Sequence, residues 1–589
     1  MARTIGIGLQ NFEKVIQRNV FYIDKTSFIK EWWENQDEVT LITRPRRFGK
    51  TLAMSMVEQF FSIEYKGRTD LFEGLYISRF EEYQKLQGTF PVISLSFAEI
   101  KETTYDATKK KICQLIAMLY DKYRFLLEGE FLSDREKAFF QNVSADMEDY
   151  AASLSIKTLC GYLSRYYGKN VIILLDEYDT PMQEAFSHGY WNALASFSRS
   201  MFNSTFKTNP YLERAILTGI TRVSKESIFS DLNNLEVITT TSTKYESAFG
   251  FTEDEVFRAL EEYGVSDKKS DVKNWYDGFT FGNVRDIYNP WSILNFLDKC
   301  KLSIYWANTS SNSLIGMLIR EGSPAIKLMM QDLMEGKSIC TQLDEQIVYN
   351  ELDESESALW SLLLASGYLK ILNYYIVDGE DSVESEAQEG DQYYELSLTN
   401  LEVRIMFRKM IRGWFQQPST RYNEFIKALL TNDLKAMNVY MNQVALMTFS
   451  YFDSGKRPSK QAEPERLPTG KATTKSLKRP NSSVCFFHGF VLGLIVDLSG
   501  RYMITSNRES GFGRYDVMLE PIKPEDDAII MEFKVRDPEE ETTLEETVQK
   551  AHLQMQRMEY AKGLIGKGIA PEHIRMYGFA FEGKHVLIG

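Results

Sequence analysis

Gly49-Lys50-Thr51 has the residue types and order that hold the phosphates of a nucleotide. Backbone N–H groups at the start of a helix point at phosphate oxygens, a lysine adds a mobile positive charge, and a threonine hydroxyl binds Mg2+. These residues close the loop Arg44-Pro45-Arg46-Arg47-Phe48-Gly49, so Arg46, Phe48, Gly49, Lys50 and Thr51 form the expected ATP cradle. The usual spacing places another glycine at position 44, where this chain has Arg44. A second group, Val171-Ile172-Ile173-Leu174-Leu175-Asp176-Glu177, ends an apolar run in two acids. Asp176 would hold Mg2+ through water and Glu177 would polarise the attacking water. A buried strand leaving into a polar loop is the plain alternative, and the chain order relative to Lys50 favours a nucleotide site. A third strand ends at Thr218-Gly219, where Thr218 could sense the γ-phosphate. Arg222 and Lys225 follow, as charge-stabilising groups or as ordinary surface residues.

The second set of chemistry-bearing residues lies near the other end of the chain. Gly513-Arg514-Tyr515-Asp516-Val517 precedes Ile529-Ile530-Met531-Glu532-Phe533-Lys534-Val535. On a strand, residues two apart face the same way, so Glu532 and Lys534 enter one site while Met531 and Phe533 pack on the other face. A hairpin symmetric about Pro524 sets Asp516 opposite Glu532, with Cβ atoms about 4.5–5.5 Å apart. Two carboxylates that close repel unless a cation neutralises them. Mg2+ or Mn2+ there would supply a nucleophilic water and stabilise charge on a phosphate. Lys534 would position that water or the phosphate. Such an acid…Glu-x-Lys spacing also arises by chance; strand placement, the symmetric register and a following long helix favour a site, and the resemblance given below adds most to it.

Taken together, these motifs resemble a bacterial AAA-ATPase-like family whose members carry a C-terminal PD-(D/E)XK nuclease domain. The resemblance spans nearly the whole chain. It rests on Phe21-Tyr22-Ile23-Asp24-Lys25-Thr26, Thr43 to Thr51, Leu175-Asp176-Glu177-Tyr178-Asp179, Thr218-Gly219-Ile220-Thr221-Arg222, Trp275-Tyr276-Asp277-Gly278 and Tyr288-Asn289-Pro290-Trp291-Ser292. Arg44 in place of the first glycine is usual for that family. The resemblance implies an additional-strand P-loop ATPase core, a helical region and a metal-dependent nuclease domain; both motif sets in one chain motivate an ATP-regulated DNA nuclease in defence against foreign DNA or in mobile-element biology. It also assigns Gln554 and Tyr560 to a helix motif that binds nucleotide or orients the site, with packing as the other reading. The family's metal-site helix carboxylate corresponds to Glu465, in Pro464-Glu465-Arg466. Residues 467–485 look like an insertion before Phe486-Phe487-His488-Gly489. That interruption motivates the alternative: an ATP-dependent switch whose nuclease fold is inactive and docks nucleic acid or protein.

The elements that must position these residues read as follows. The fold class is α/β: a P-loop domain with a parallel sheet over 1–250, a helical and winged-helix-like region over 251–450, a basic proline-containing linker over 454–483, and a restriction-endonuclease-like α/β domain over 484–589. Strands are expected at 38–43, 91–97, 171–175 and 215–217, with a helix from Leu52 to Phe61. Further on, 352–369 and 425–447 read as amphipathic helices. Tyr374–Val377 and Tyr393–Leu398 read as a hairpin whose turn, 378–391, holds seven acids and stays in solvent. In the C-terminal domain 486–496 is expected as helix, 502–506, 514–519, 528–535 and 576–581 as strands, and 544–564 as one long helix.

Of the 589 residues, 43% are hydrophobic and 25% charged, which excludes a mainly disordered chain and a disulfide scaffold. The net charge of −14 gives no general pull toward nucleic acid, so DNA contact would need local basic patches. The linker, with eight Lys or Arg, four Pro and two Glu, is either a solvated spacer or a basic contact for nucleic acid. The five cysteines are scattered, as expected for buried thiols in a reducing compartment, and Cys485 with His488 cannot alone make a zinc site. The opening residues lack the apolar core of a signal peptide and no run is long enough to span a bilayer, so a cytoplasmic protein without membrane association is expected. Oligomeric state is left open. A metabolic P-loop kinase ranks third, since nothing suggests an acceptor pocket.

Overall fold

The computed structural model describes residues 2–221, 228–229, 232–307, 313–343, 356–376, 391–414, 422–448 and, between 491 and 589, all but 492–494, 496–497, 499–500, 507–508, 511–512, 515, 524, 539 and 584. Arg222, Lys225, residues 378–390 of the acidic turn, the linker, Glu465, Cys485 and His488 lie outside the described residues. The chain divides into two compact units, 1–318 with 336–406 and 319–335 with 407–589.

The first unit is built on five parallel strands: β1 Val39–Thr43, β2 Val92–Ser96, β3 Val171–Asp176, β4 Leu212–Gly219 and β5 Leu235–Ile238, in the order β2-β3-β4-β1-β5. β1 and β3 are buried at every position, because helices cover both faces of a parallel sheet. Ile42, Ile172, Leu174 and Ile216 meet Val57, Phe60 and Phe61 of the helix Lys50–Phe61 on one face. The intervening Leu41, Ile173, Leu175 and Leu217 are equally buried. β4 stands between β1 and β3, which is the additional strand of the expected core. Its register aligns Thr43 with Gly219 and Leu175 with Leu217, bringing the carboxyl ends of β1, β3 and β4 to one edge. Ligands of open α/β sheets bind at that edge.

The middle of the chain is helical but holds six short strands that the sequence reading did not separate, apart from the expected hairpin. β6 Phe251–Thr252, β7 Phe279–Phe281 and β8 Val284–Tyr288 form one small sheet in the order β6-β8-β7. β9 Ile339–Thr341, β10 Leu369–Ile376 and β11 Gln392–Leu398 form another, in which β10 and β11 are the antiparallel pair expected from Tyr374 and Tyr393. The helix read at 352–369 is Glu356–Ala365. Glu402, buried, ties this region together by accepting hydrogen bonds from the Ser292 hydroxyl at 2.8 Å and the amides of Tyr305 and Trp306 at 2.6 and 2.7 Å.

In the second unit, β12 Tyr502–Ser506, β15 Val517–Pro521, β16 Ala528–Val535, β17 Ile574–Glu582 and β18 His585–Ile588 form a mixed sheet in that order. The ribbon β13 Glu509–Ser510 and β14 Gly513–Arg514 stands apart from it. β16 and β17 are parallel, with the helix Leu544–Arg557 in the crossover. That helix lies close: a Cβ on Gly578 would sit 3.0 Å from the Ala551 Cβ. The opposite face, with Met531, Phe533 and Phe579, is covered by Phe425, Met437 and Met441. These come from two helices, Tyr422–Leu430 and Leu434–Thr448, where one had been expected, and they cluster with the C-terminal sheet rather than with the middle region. The expected helix 544–564 also breaks, at Glu559 with φ of 52°. Cys113 and Cys160 are buried, whereas Cys300 and Cys340 are exposed, against the expectation of buried thiols. Among the described residues no helix is long and apolar enough to cross a membrane.

Candidate functional sites

The loop from β1 to the helix Lys50–Phe61 turns through two left-handed residues, Arg47 at φ 66° and Gly49 at φ 84°. This aims the unsatisfied N–H groups of the first helical turn at the carboxyl edge of the sheet. The Lys50 ammonium donates to the carbonyls of Arg44 and Pro45 at 2.8 and 2.9 Å. Two of its three donors therefore hold the loop, and the third is left for a phosphate oxygen. Burial pushes its pKa down, opposed by the charges of Glu177, Asp176 and Asp179. From the end of β3, the Asp176 carboxylate accepts hydrogen bonds from the Thr51 hydroxyl at 2.7 Å and from the Thr218 hydroxyl. Burial pushes Asp176 above the usual carboxylate range. Both its oxygens face hydroxyls that can rotate to present lone pairs, a hard oxygen donor set that fits Mg2+. Glu177, next in line, takes a left-handed φ of 51° and accepts from the Thr180 hydroxyl at 3.2 Å. Thr51, Asp176, Thr218, Glu177 and Lys50 are thus brought together.

The remaining loop residues are held from outside. Phe48 is buried against Phe279 and Phe281, with centroids 4.8 and 5.3 Å away, so what it offers a phosphate is its backbone. Arg44 is fully buried over the Phe281 ring at 4.5 Å and donates to the carbonyls of Thr43 and Thr239 at 2.9 and 2.7 Å. Burial pushes it down to about 9. Arg47 lies over Trp291 at 4.6 Å, and Asn289 donates to the Arg46 carbonyl at 3.2 Å. None of these wall residues was identifiable from the sequence as part of the loop, although two stand in motifs that carry the resemblance.

In the second unit, β15 and β16 pair Val517 with Met531, Met518 with Ile530 and Leu519 with Ile529. One further step of that register sets Asp516 against Glu532. The Asp516 carboxylate accepts the Phe533 N–H at 2.8 Å, which holds it over β16. Glu532 is only 2% exposed. Its Oε1 accepts from Lys534 Nζ at 3.2 Å and from Gln554 Nε2, while its Oε2 is buried with no partner. Lys534 also donates to Gln554 Oε1 at 2.6 Å, and Gln554 Nε2 meets the Tyr560 hydroxyl at 3.1 Å. Gln554 is on the helix; Tyr560 lies beyond its end and is not on it, as the sequence reading had it. Burial, and then the charge of Asp516, raise Glu532 to about 7. An orphaned buried oxygen beside a second carboxylate is the arrangement a divalent cation completes.

A third group escaped the sequence reading. Carboxylate oxygens of Glu253, Asp277 and Asp286 lie within 4.8 Å of one another. Lys273 meets Glu253 at 2.5 Å and Asp286 at 3.6 Å, which offsets part of the cluster's negative charge. Its members are 33 residues apart, and only Asp277 stands in a motif that drew attention.

Residues 6–229 match the AAA-ATPase-like family, described as "Predicted AAA-ATPase", and residues 485–589 match the PD-(D/E)XK nuclease superfamily. An "uncharacterized protein in vnfD 5'region" of Azotobacter chroococcum mcd 1 is 23% identical over 442 residues, covering 74% of this chain and 76% of its own.

Proposed function

Starting from an AAA-ATPase-like domain and a PD-(D/E)XK nuclease superfamily domain in one chain, we propose that this protein hydrolyses ATP and cleaves DNA with a divalent metal. The observation that carries the nuclease half is the orphaned Oε2 of buried Glu532 beside Asp516, with Lys534 on the same strand face. Mg2+ or Mn2+ held by Asp516 and Glu532 would supply Lewis acidity toward the phosphodiester. Lys534, fixed by Gln554, places a positive charge where negative charge grows on the phosphate. Tyr560 holds Gln554, and through it the orientation of Glu532 and Lys534. Glu465 is kept in this reading as a further ligand only by its place in the sequence.

In the ATPase half, Thr51 and Asp176 would hold the Mg2+ that accompanies ATP, and that ion would offset the charge of the β- and γ-phosphates. Lys50 and the loop amides bind the triphosphate. Glu177 takes up the attacking water by hydrogen bond, and Thr218, bonded to Asp176, sits at the γ-phosphate end. A role in defence against foreign DNA or in mobile elements is the biological setting we infer from the combination.

The test is purified full-length protein with Mg2+ or Mn2+ and DNA, with and without ATP. Cleavage is expected, and Lys534→Ala should abolish it. Cutting that survives Lys534→Ala would overturn the assignment. Mn2+ binding without cleavage would favour a docking module that kept the fold.

A further inference from the structure

Asp179 stands three residues after Asp176 and has entered the site so far only through its charge near Lys50. It occupies the N-cap of the helix Thr180–Ser187, a position where an aspartate normally accepts N–H groups of its own helix. Here the side chain makes no such cap. It turns instead, almost fully buried, toward the end of β4. Its Oδ2 accepts the N–H of Ile220 at 2.9 Å, the N–H of Thr221 at 3.0 Å and the Thr221 hydroxyl at 3.1 Å. Gln183 Nε2 donates to the same oxygen at 3.3 Å, and Gln183 Oε1 accepts from Arg46 Nη2 at 3.2 Å. A continuous chain therefore runs from Arg46 in the phosphate loop, through Gln183 and Asp179, to the turn after Thr218.

The turn is held closely. Tyr178 donates its N–H to the Thr218 carbonyl at 3.0 Å and its hydroxyl to the Thr221 carbonyl at 2.8 Å. Gly219 is needed there, since a Cβ would come within 2.7 Å of the Tyr178 ring and 2.8 Å of Asp179 Oδ1. A buried carboxylate with neutral partners is costly, and its hydrogen bonds are what offset that cost. Arg46 meets a neutral amide in this chain, so its charge stays available to an anion at the loop.

We propose that Asp179 is a positioning residue which, through Gln183, ties the phosphate-side Arg46 to the turn that carries Thr218, so that triphosphate binding at the loop orders the end of β4 for hydrolysis. The proposal rests on the nucleotide reading above. Gln183→Leu breaks the chain between Arg46 and Asp179 and leaves the contacts of Asp179 with residues 220 and 221 intact. Asp179→Asn keeps the size and one acceptor.

The experiment compares full-length wild type, Gln183→Leu and Asp179→Asn in ATP binding, steady-state hydrolysis, and amide exchange at Ile220 and Thr221 with and without ATP and Mg2+. The expected result for Gln183→Leu is ATP affinity within about twofold of wild type, kcat lower by about tenfold or more, and loss of the ATP-dependent protection at 220–221 that wild type shows. A purely structural role would lower affinity, turnover and melting temperature together. Wild-type protection and turnover in Gln183→Leu would overturn the proposal, even if Asp179→Asn fails to fold. Wild type that binds ATP without hydrolysing it would refute hydrolysis alone, and the exchange comparison would still decide the coupling.

Discussion

Glu532 should make metal binding depend on pH in a defined way. Burial and the neighbouring charge of Asp516 raise its carboxyl to about 7, against an unperturbed value of 4.5. A metal ligates the ionised form, so proton and cation compete for one group. With a single proton at about 7, the apparent affinity for Mn2+ falls by about tenfold from pH 8 to pH 6 and is nearly flat above about pH 8. The same shift has a stability consequence with the opposite sign from an ordinary ion-paired glutamate. The folded value lies above the unfolded one, so its contribution is present below about pH 4.5 and is lost as pH rises through about 7. For a shift of that size the loss is about 3 kcal/mol. The assay is Mn2+ titration followed by electron paramagnetic resonance at pH 6, 7 and 8. Beside it, chelator-treated wild type and Glu532→Gln are melted in denaturant from pH 4.5 to 8. The amide stands for the protonated acid, so the difference between the two stability curves isolates this group. Mn2+ affinity independent of pH between 6 and 8, or parallel stability curves, would refute the reasoning.

At the ATPase site, Lys50→Ala should remove ATP binding, measured with a fluorescent nucleotide; Glu177→Gln should bind ATP and slow turnover by about a hundredfold or more, the contribution of one catalytic base. Gly367→Ala should destabilise the protein by about 2 kcal/mol in denaturant melts and weaken ATP binding, because at φ 85° its Cβ would press to 2.9 Å from Pro45 and from Phe279. Asp277, raised to about 7 first by burial and then by Asp286, should cost stability as pH rises from about 4 through 7. Asp286→Asn should shrink that loss, and an unchanged pH dependence of the melts would show that the pair does not interact.

The elements nearest the chemistry were legible because their signals are local. β1 and β3 read as strands since a parallel strand buried on both faces must be apolar throughout. The register of Asp516 and Glu532 followed from the turn between them, because a hairpin fixes its own pairing. Tyr560 was misplaced onto the helix because nothing in a Glu-Tyr pair announces the left-handed turn at Glu559. β6, β7 and β8 were missed because strands of two to five residues carry too little periodicity. Helices at 422–448 were recognisable as helices, but an apolar stripe does not state which sheet it will cover. The walls of the phosphate loop lie hundreds of residues from it, and no local pattern links Phe48 to Phe279 or Pro45 to Gly367.

Those walls bear on how the molecule is made. The loop between Thr43 and Lys50 leaves a ribosome well before Phe279, Phe281, Trp291 and Gly367, against which it rests. A nascent or proteolysed fragment ending before them holds the binding sequence without its mould. On the nucleotide reading proposed above, ATP capture would wait until the chain is made through Gly367, so nucleotide would favour molecules past that point over shorter ones.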